Sequence, residues 1–361
     1  MITSAGLIYG PMAHHLDHLA PLCALLDIPL IVTEEEIASA AKKYYPGLNV
    51  IYWDYLQIPS YLIKQFDTIF SSLPRPLFDD IFFLAQKLLG KEISSIWVPH
   101  GNSDKGHASI FMEGLKHDLY ALVYGNKMID FLKAKDAFYQ LKACHAVGNF
   151  RLTYYLKYKD FYDTLLENTL GFSHPFILYA PTWQDGETST SFYGAISHLI
   201  DKLPSNFHLV IKLHPNLNDT RADQLIYRYE NRPRVIFLKE WPPIYSLLNK
   251  TSIYIGDMSS IGYDFLTFNR PMFFLNQNKR PLSDPGLFLH KAGISLFPDD
   301  YAQIYAIIEK ELSQDKENFF SIREEIYSYT FERDSGHSCL EPLDNVAYKH
   351  CYKLYSRLSF K

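Results

Sequence analysis

Cysteine is scarce. The 361 residues hold four, Cys23, Cys144, Cys339 and Cys351. They are scattered, with no C-x-x-C pair and no His/Cys cluster, which argues against a structural zinc site and a disulfide framework and for a reducing compartment. No G-x-G-x-x-G and no Walker A motif is present. Basic charge is not in excess either. Thirty-five Lys and Arg face 40 Asp and Glu, a net charge of −5. That excludes a protein that coats nucleic acid, which needs clustered cations, but not a local basic pocket. Long hydrophobic runs are missing too. The most apolar early stretch, Leu19–Val32, is broken by Pro21, Asp27 and Pro29 and is too short to span a bilayer. No basic segment precedes an apolar one in Met1–Gly10, so no secretory signal is expected. The expectation is a cytoplasmic chain, soluble or peripheral at the membrane. No internal repeat or low-complexity tract is visible.

Aromatic residues are abundant, with 27 Tyr, 25 Phe and 4 Trp, and apolar residues reach 47%. Sizeable cores are affordable at this length, and two domains are expected. Short β-rich apolar runs alternate with amphipathic stretches, the βαβ pattern of parallel sheets covered by helices. In the first half the strand candidates are Pro29–Val32, Asn49–Trp53, Thr68–Ser71, Ser95–Pro99, Tyr120–Tyr124 and Ala143–Val147. In the second they are Phe176–Ala180, His208–Leu213, Val235–Phe237, Ser252–Gly256 and Met272–Leu275. Helical patterns include Leu16–Leu26, Glu35–Tyr44, Ala108–Leu115, Tyr193–Lys202, Ser260–Phe268 and an aromatic-rich Leu343–Leu358. Lys157–Ser173 reads as a charged linker. The expected fold is α/β, with two Rossmann-like doubly wound domains at 1–160 and 170–361 facing across a cleft. Ligands of such sheets bind beyond the carboxyl ends of the strands.

Three strand ends carry chemistry. Ser95–Pro99 runs into His100-Gly101, with Lys105 shortly after. A histidine on a rigid strand end is a candidate general base near neutral pH; the alternative is one that only bonds a backbone carbonyl. The second strand ends in His214-Pro215, and Pro215 fixes the turn. His214 is either a second cleft residue or a structural turn histidine. The third runs into Asp257-Met258-Ser259-Ser260 and a helix start, which suits an anion, since free N–H groups and hydroxyls meet there. The alternative is a plain N-cap. Glu34-Glu35-Glu36 reads as a solvated helix start. His14, His15 and His18 share a helical stretch with Asp17 as their one carboxylate neighbour, and no metal is expected.

Taken in order, these stretches resemble the CDP-glycerol glycerophosphotransferase family of teichoic-acid primases and polymerases. The family's His-Gly-Thr-Pro-x-Lys element is similar to His100-Gly101-Asn102-Ser103-Asp104-Lys105, and its Gly-x-Pro-Arg to Gly148-Asn149-Phe150-Arg151. Its Leu-Tyr-Ala-Pro-Thr-Trp-Arg-Asp is similar to Leu178–Asp185, with Gln184 in place of Arg, and its Lys-x-His-Pro to Lys212–Pro215. Its Thr-Asp-Tyr-Ser-Ser resembles Gly256–Ser260, and a late Asp-Gly resembles Asp334-Ser335-Gly336. The resemblance runs from about Ile96 to Gly336. It implies a GT-B architecture, a donor nucleotide held mainly by the second domain, and transfer without a metal or other cofactor.

On that resemblance a phosphopolyol group moves from a CDP-activated donor to a hydroxyl acceptor of a cell-envelope glycan or lipid, releasing CMP. His100 and His214 are the catalytic candidates. Lys105, Arg151, Thr182, Pro215, Asp257, Ser259 and Ser260 are the donor-binding candidates, with Asp257 expected on the ribose or bracing its turn. Lipid-linked acceptors imply peripheral membrane contact, although a net charge of −5 gives no global attraction to anionic lipid. Two alternatives stay open. One is a GT-B glycosyltransferase or sugar-nucleotide epimerase using a UDP- or CMP-activated sugar. The other is a non-catalytic nucleotide- or glycan-binding GT-B protein.

Overall fold

The computed structural model describes residues 3–105, 110–184, 186 and 190–331. The expected helix at Leu343–Leu358, the Asp334-Ser335-Gly336 element, Asp185, Cys339 and Cys351 lie outside those residues, as does the start of Ala108–Leu115.

The chain divides into two compact units. The first holds β1 (Ser4–Ile8), α1 (Leu16–Leu26), β2 (Leu30–Val32), α2 (Glu35–Tyr44), β3 (Val50–Tyr52), α3 (Ile58–Gln65), β4 (Thr68–Ser71), α4 (Asp79–Leu89), β5 (Ser94–Trp97), β6 (Tyr120–Val123), α5 (Asn126–Ala134), β7 (Ala143–Ala146) and α6 (Phe150–Lys157). Its seven strands are ordered β3-β2-β1-β4-β5-β6-β7, all parallel. The second holds α7 (Lys159–Leu170), β8 (Phe176–Ala180), α8 (Phe192–Asp201), β9 (Leu209–Lys212), α9 (Thr220–Tyr229), β10 (Val235–Leu238), α10 (Ile244–Lys250), β11 (Thr251–Gly256), α11 (Ile261–Phe265), β12 (Met272–Leu275), β13 (Ile294–Leu296), α12 (Ile304–Leu312) and most of α13 (Asp315–Phe331). Its order is β10-β9-β8-β11-β12-β13, again parallel. In each sheet the strand order reverses once, between β1 and β4 and between β8 and β11, and those reversals are where ligands of such sheets bind.

Parallel strands covered on both faces read as unbroken apolar runs, which is why most were visible in the sequence. β1 was not. Its Ser-Ala-Gly-Leu-Ile sequence is poor in strand formers, yet all five residues are buried. A Cβ at Gly6 would sit 2.3 Å from the Cys23 sulfur, so glycine lets α1 lie directly on β1. The expected linker at Lys157–Ser173 is instead mostly α7, which buries Tyr162, Leu166 and Leu170 at a four-residue period. Nor does one cut separate the units. Residues 103–105 group with the second unit and residues 329–331 with the first, where Phe331 packs edge-on against Tyr124 and Tyr329 donates to Asp130 at 2.8 Å.

Candidate active site

The second unit gathers three of the expected motifs at its strand reversal. Asp257, just beyond β11, is 1% exposed. Its Oδ1 accepts from the Thr182 backbone N–H at 2.8 Å, beyond β8. Its Oδ2 accepts from the Ser191 N–H at 2.9 Å and the Ser191 hydroxyl at 2.8 Å. Asp257 thus ties the turn beyond β11 to Thr182 and Ser191. Thr182 Oγ1 in turn accepts from Lys105 Nζ, and its carbonyl accepts from the Thr190 hydroxyl at 2.7 Å. Lys105 is carried on a short segment pinned by Asp104, which accepts from the Tyr263 hydroxyl and, at 3.0 Å, from the Leu289 N–H. Lys105, Thr182 and Asp257 thus form one continuous polar network.

Beside that network, the indole of Trp183 stacks on His214 with ring centroids 6.1 Å apart. His214 is half-buried and Pro215 exposed. The Asn216 N–H donates to His214 Nδ1 at 3.1 Å. A neutral imidazole whose Nδ1 accepts carries its proton on Nε2, so His214 is set as a donor. Ser259 is buried and Ser260 half-buried. Ser260 occupies the N-cap position of α11 without making a side-chain cap bond. The helix expected over Ser260–Phe268 is shorter than the sequence suggests. It is the five-residue α11 followed by a 3-10 turn at Leu266–Phe268. Fewer aligned peptides mean a smaller dipole at the start of α11.

Three contributors were not singled out in the sequence. Ser191 has the look of an N-cap, but its hydroxyl is given to Asp257. Asp104 has an ordinary loop context. Arg280 forms a two-point pair with Asp284, at 2.9 and 3.0 Å, and its Nη1 lies 3.0 Å from Met258 Sδ, which brings a cation to the Asp257–Ser260 turn.

The first unit holds His100, beyond β5. It is half-buried, and its Nδ1 is buried with no hydrogen-bond partner. His14 and His15, in the turn between β1 and α1, meet it at centroid distances of 5.3 and 4.8 Å. The histidine group thus differs from the one the sequence suggests: His18 turns away, its Nδ1 2.5 Å from the Tyr124 hydroxyl, and His100 takes its place. Burial lowers the pKa of all three clustered histidines, and His100 falls to about 4, helped by the neighbouring His14.

Arg151 is also in this unit. It is 4% exposed and pairs with Asp17, its Nε donating to the Asp17 carbonyl at 3.0 Å and its Nη2 to the carboxylate. Tyr45 donates to the same carboxylate at 2.8 Å. The guanidinium expected on a donor phosphate is thus engaged in joining α6 to α1. Arg151→Met should cost about 3 kcal/mol of stability, because Asp17 loses its cation in a largely buried setting. Thermal unfolding should show that loss while calorimetric titration shows unchanged CDP affinity. A weakened CDP affinity at unchanged melting temperature would restore Arg151 to the donor site.

Two parallel doubly wound sheets, each with polar groups at its strand reversal, make this an α/β fold of the GT-B type. The sequence model described as CDP-Glycerol:Poly(glycerophosphate) glycerophosphotransferase matches residues 106–288, and the chain belongs to that family of enzymes. No curated protein matches the chain by sequence. Among solved structures it is similar to the wall teichoic acid polymerase TagF, at 14% identity and a TM-score of 0.61 over 99% of this chain and 89% of that one. It is also similar to S. aureus MnaA in complex with UDP, at 14% identity and 0.59 over 92% and 93%. A third is Anabaena Alr3699/HepE in complex with UDP-glucose, at 11% and 0.57 over 99% and 100%. At these identities the likeness is one of fold. Among the described residues no helix is long and apolar enough to cross a membrane.

Proposed function

We propose that the protein transfers a phosphopolyol group, of the phosphoglycerol type, from a CDP-activated donor to a hydroxyl on a cell-envelope glycan or lipid, releasing CMP. The observation that carries this reading is the network Lys105–Thr182–Asp257–Ser191 with His214 beside it. It supplies a cation, hydroxyls and an imidazole N–H at the strand reversal where α/β sheets hold nucleotides. Family membership supports the donor class. TagF, named as a wall teichoic acid polymerase, has been solved after soaking with CDPG.

In the proposed reaction the acceptor oxygen attacks the distal phosphorus of the donor. The new O–P bond forms as the bond from that phosphorus to the bridging oxygen breaks, and CMP leaves with the bridging electron pair. The acceptor's proton passes to His100. Lys105, Ser259, Ser260 and the Nε2–H of His214 stabilise the charge gathering on the phosphates, a kind of preorganised donation often worth ~3 kcal/mol per group. Thr182, Pro215 and Asp257 shape and hold the turns that present those groups.

The test is calorimetric. Ser259→Ala, Ser260→Ala and His214→Ala should each weaken CDP binding and leave cytidine binding nearly unchanged, because they act on phosphate. Pairs should be non-additive, since groups sharing one ligand oxygen couple. A lower melting temperature with unchanged CDP affinity would make the serines plain helix-start residues and remove them from the donor site.

A further inference from the structure

We propose that His14, His15 and His100 form a binding site for a divalent transition ion of the zinc class, and that an ion held there occupies His100 and blocks its proton transfer. The blocking half rests on the base role proposed above; the site itself does not.

One ring nitrogen from each of the three residues lies within 4.8 Å of the others, and among the described residues no other set of three His, Cys, Asp or Glu comes together in this way. Nitrogens bound tetrahedrally to zinc at ~2.0–2.1 Å stand ~3.4 Å apart, so side-chain rotation of about an ångström closes the set. His15 is 2% exposed. Its Nδ1 and that of His100 are buried with no hydrogen-bond partner, a costly state for polar atoms in a core unless something else satisfies them. Burial favours the neutral rings. Each neutral imidazole offers one lone pair that a cation can take. Three nitrogens with no oxygen ligand select zinc, cobalt, nickel or copper over magnesium and calcium. Three protein ligands leave a fourth position for water or a substrate oxygen.

Two elements build the site. His14 and His15 end the turn that leaves β1, and His100 ends the segment that leaves β5. β4 lies between those strands, so the cluster spans the strand reversal of the first unit. That is the position in this sheet where a ligand is expected.

The experiment uses the full chain, stripped with a chelator and titrated without donor or acceptor. Zinc is followed by calorimetry and cobalt by its visible absorption. The expected result is one ion per chain, with affinity at least tenfold weaker in His14→Gln, His15→Gln and His100→Gln, unchanged in His198→Gln, and no competition from magnesium. His14 is half-exposed, so His14→Gln carries the test if the more buried variant fails to fold. Wild-type zinc affinity in a folded His14 or His15 variant, or no zinc binding at all, overturns the site and leaves the transferase reading untouched. In a second arm, CMP release by the stripped enzyme should be full and should fall as the site fills, and EDTA should restore it. A filled site with undiminished CMP release keeps the site and overturns the block.

Discussion

Replacing His100 with alanine should lower turnover by about 100-fold or more while CDP affinity stays within about twofold. A positioned base is typically worth that much, and the residues proposed to hold the donor belong to the second unit. Burial, with His14 beside it, lowers the pKa of this imidazole to about 4, so the ring is unprotonated and able to accept a proton throughout the neutral range. The sign is fixed by that direction. Protonation removes the base, so kcat/KM should be level above pH 6.5 and fall only as pH approaches 4. The same shift acts on stability. A histidine whose folded pKa lies below its unfolded value favours the fold fully above the unfolded value, and that contribution is lost as pH falls toward the folded one. Acid sensitivity should therefore set in below about pH 6.5 in the wild type and weaken in His100→Ala. Turnover above a tenth of wild type in the alanine variant would remove His100 from the chemistry.

Asp257→Ala should have the largest effect on the second unit. It deletes the acceptor of two buried backbone N–H groups and one hydroxyl, which should cost about 3–5 kcal/mol in total, since each orphaned group carries its own desolvation penalty. The turns beyond β8 and β11 lose their common anchor, so CDP affinity should fall at least tenfold. Asp257→Asn should cost less, because its amide oxygen can still accept while its NH2 faces a donor. Thermal unfolding beside CDP titration reads both effects. An alanine variant with wild-type melting would mean that the turns hold themselves.

How much of this was legible before the structure follows from what each feature depends on. Buried parallel strands depend on local apolar runs, and Thr68–Ser71, Phe176–Ala180 and Met272–Leu275 were read to the residue. β1 depends on close packing at Gly6 against a cysteine in the following helix, which no local pattern reveals. The turn carrying Asp257 was visible as a strand end with hydroxyls. Its partner Ser191 was not, being 66 residues away in sequence. Arg151 carried the family's motif, yet its partner Asp17 lies 134 residues earlier, and the sequence alone gave no reason to join them. The histidine cluster failed for the same reason. Helical spacing sets His14 and His15 beside His18, whereas the sheet order brings them to His100.

The central claim is the transfer of a phosphopolyol from a CDP donor, and the most direct measurement is the nucleotide released. The full chain is incubated with CDP-glycerol, CDP-ribitol, a UDP-sugar and a CMP-sugar, each with pooled envelope acceptors, and the products are resolved by ion-exchange chromatography. The expected result is CMP, formed from a CDP-polyol only when acceptor is present and lost in His100→Ala. Release of UDP, epimerisation of the UDP-sugar, or CMP formed from the CMP-sugar alone would contradict the account and assign the same strand ends to sugar chemistry.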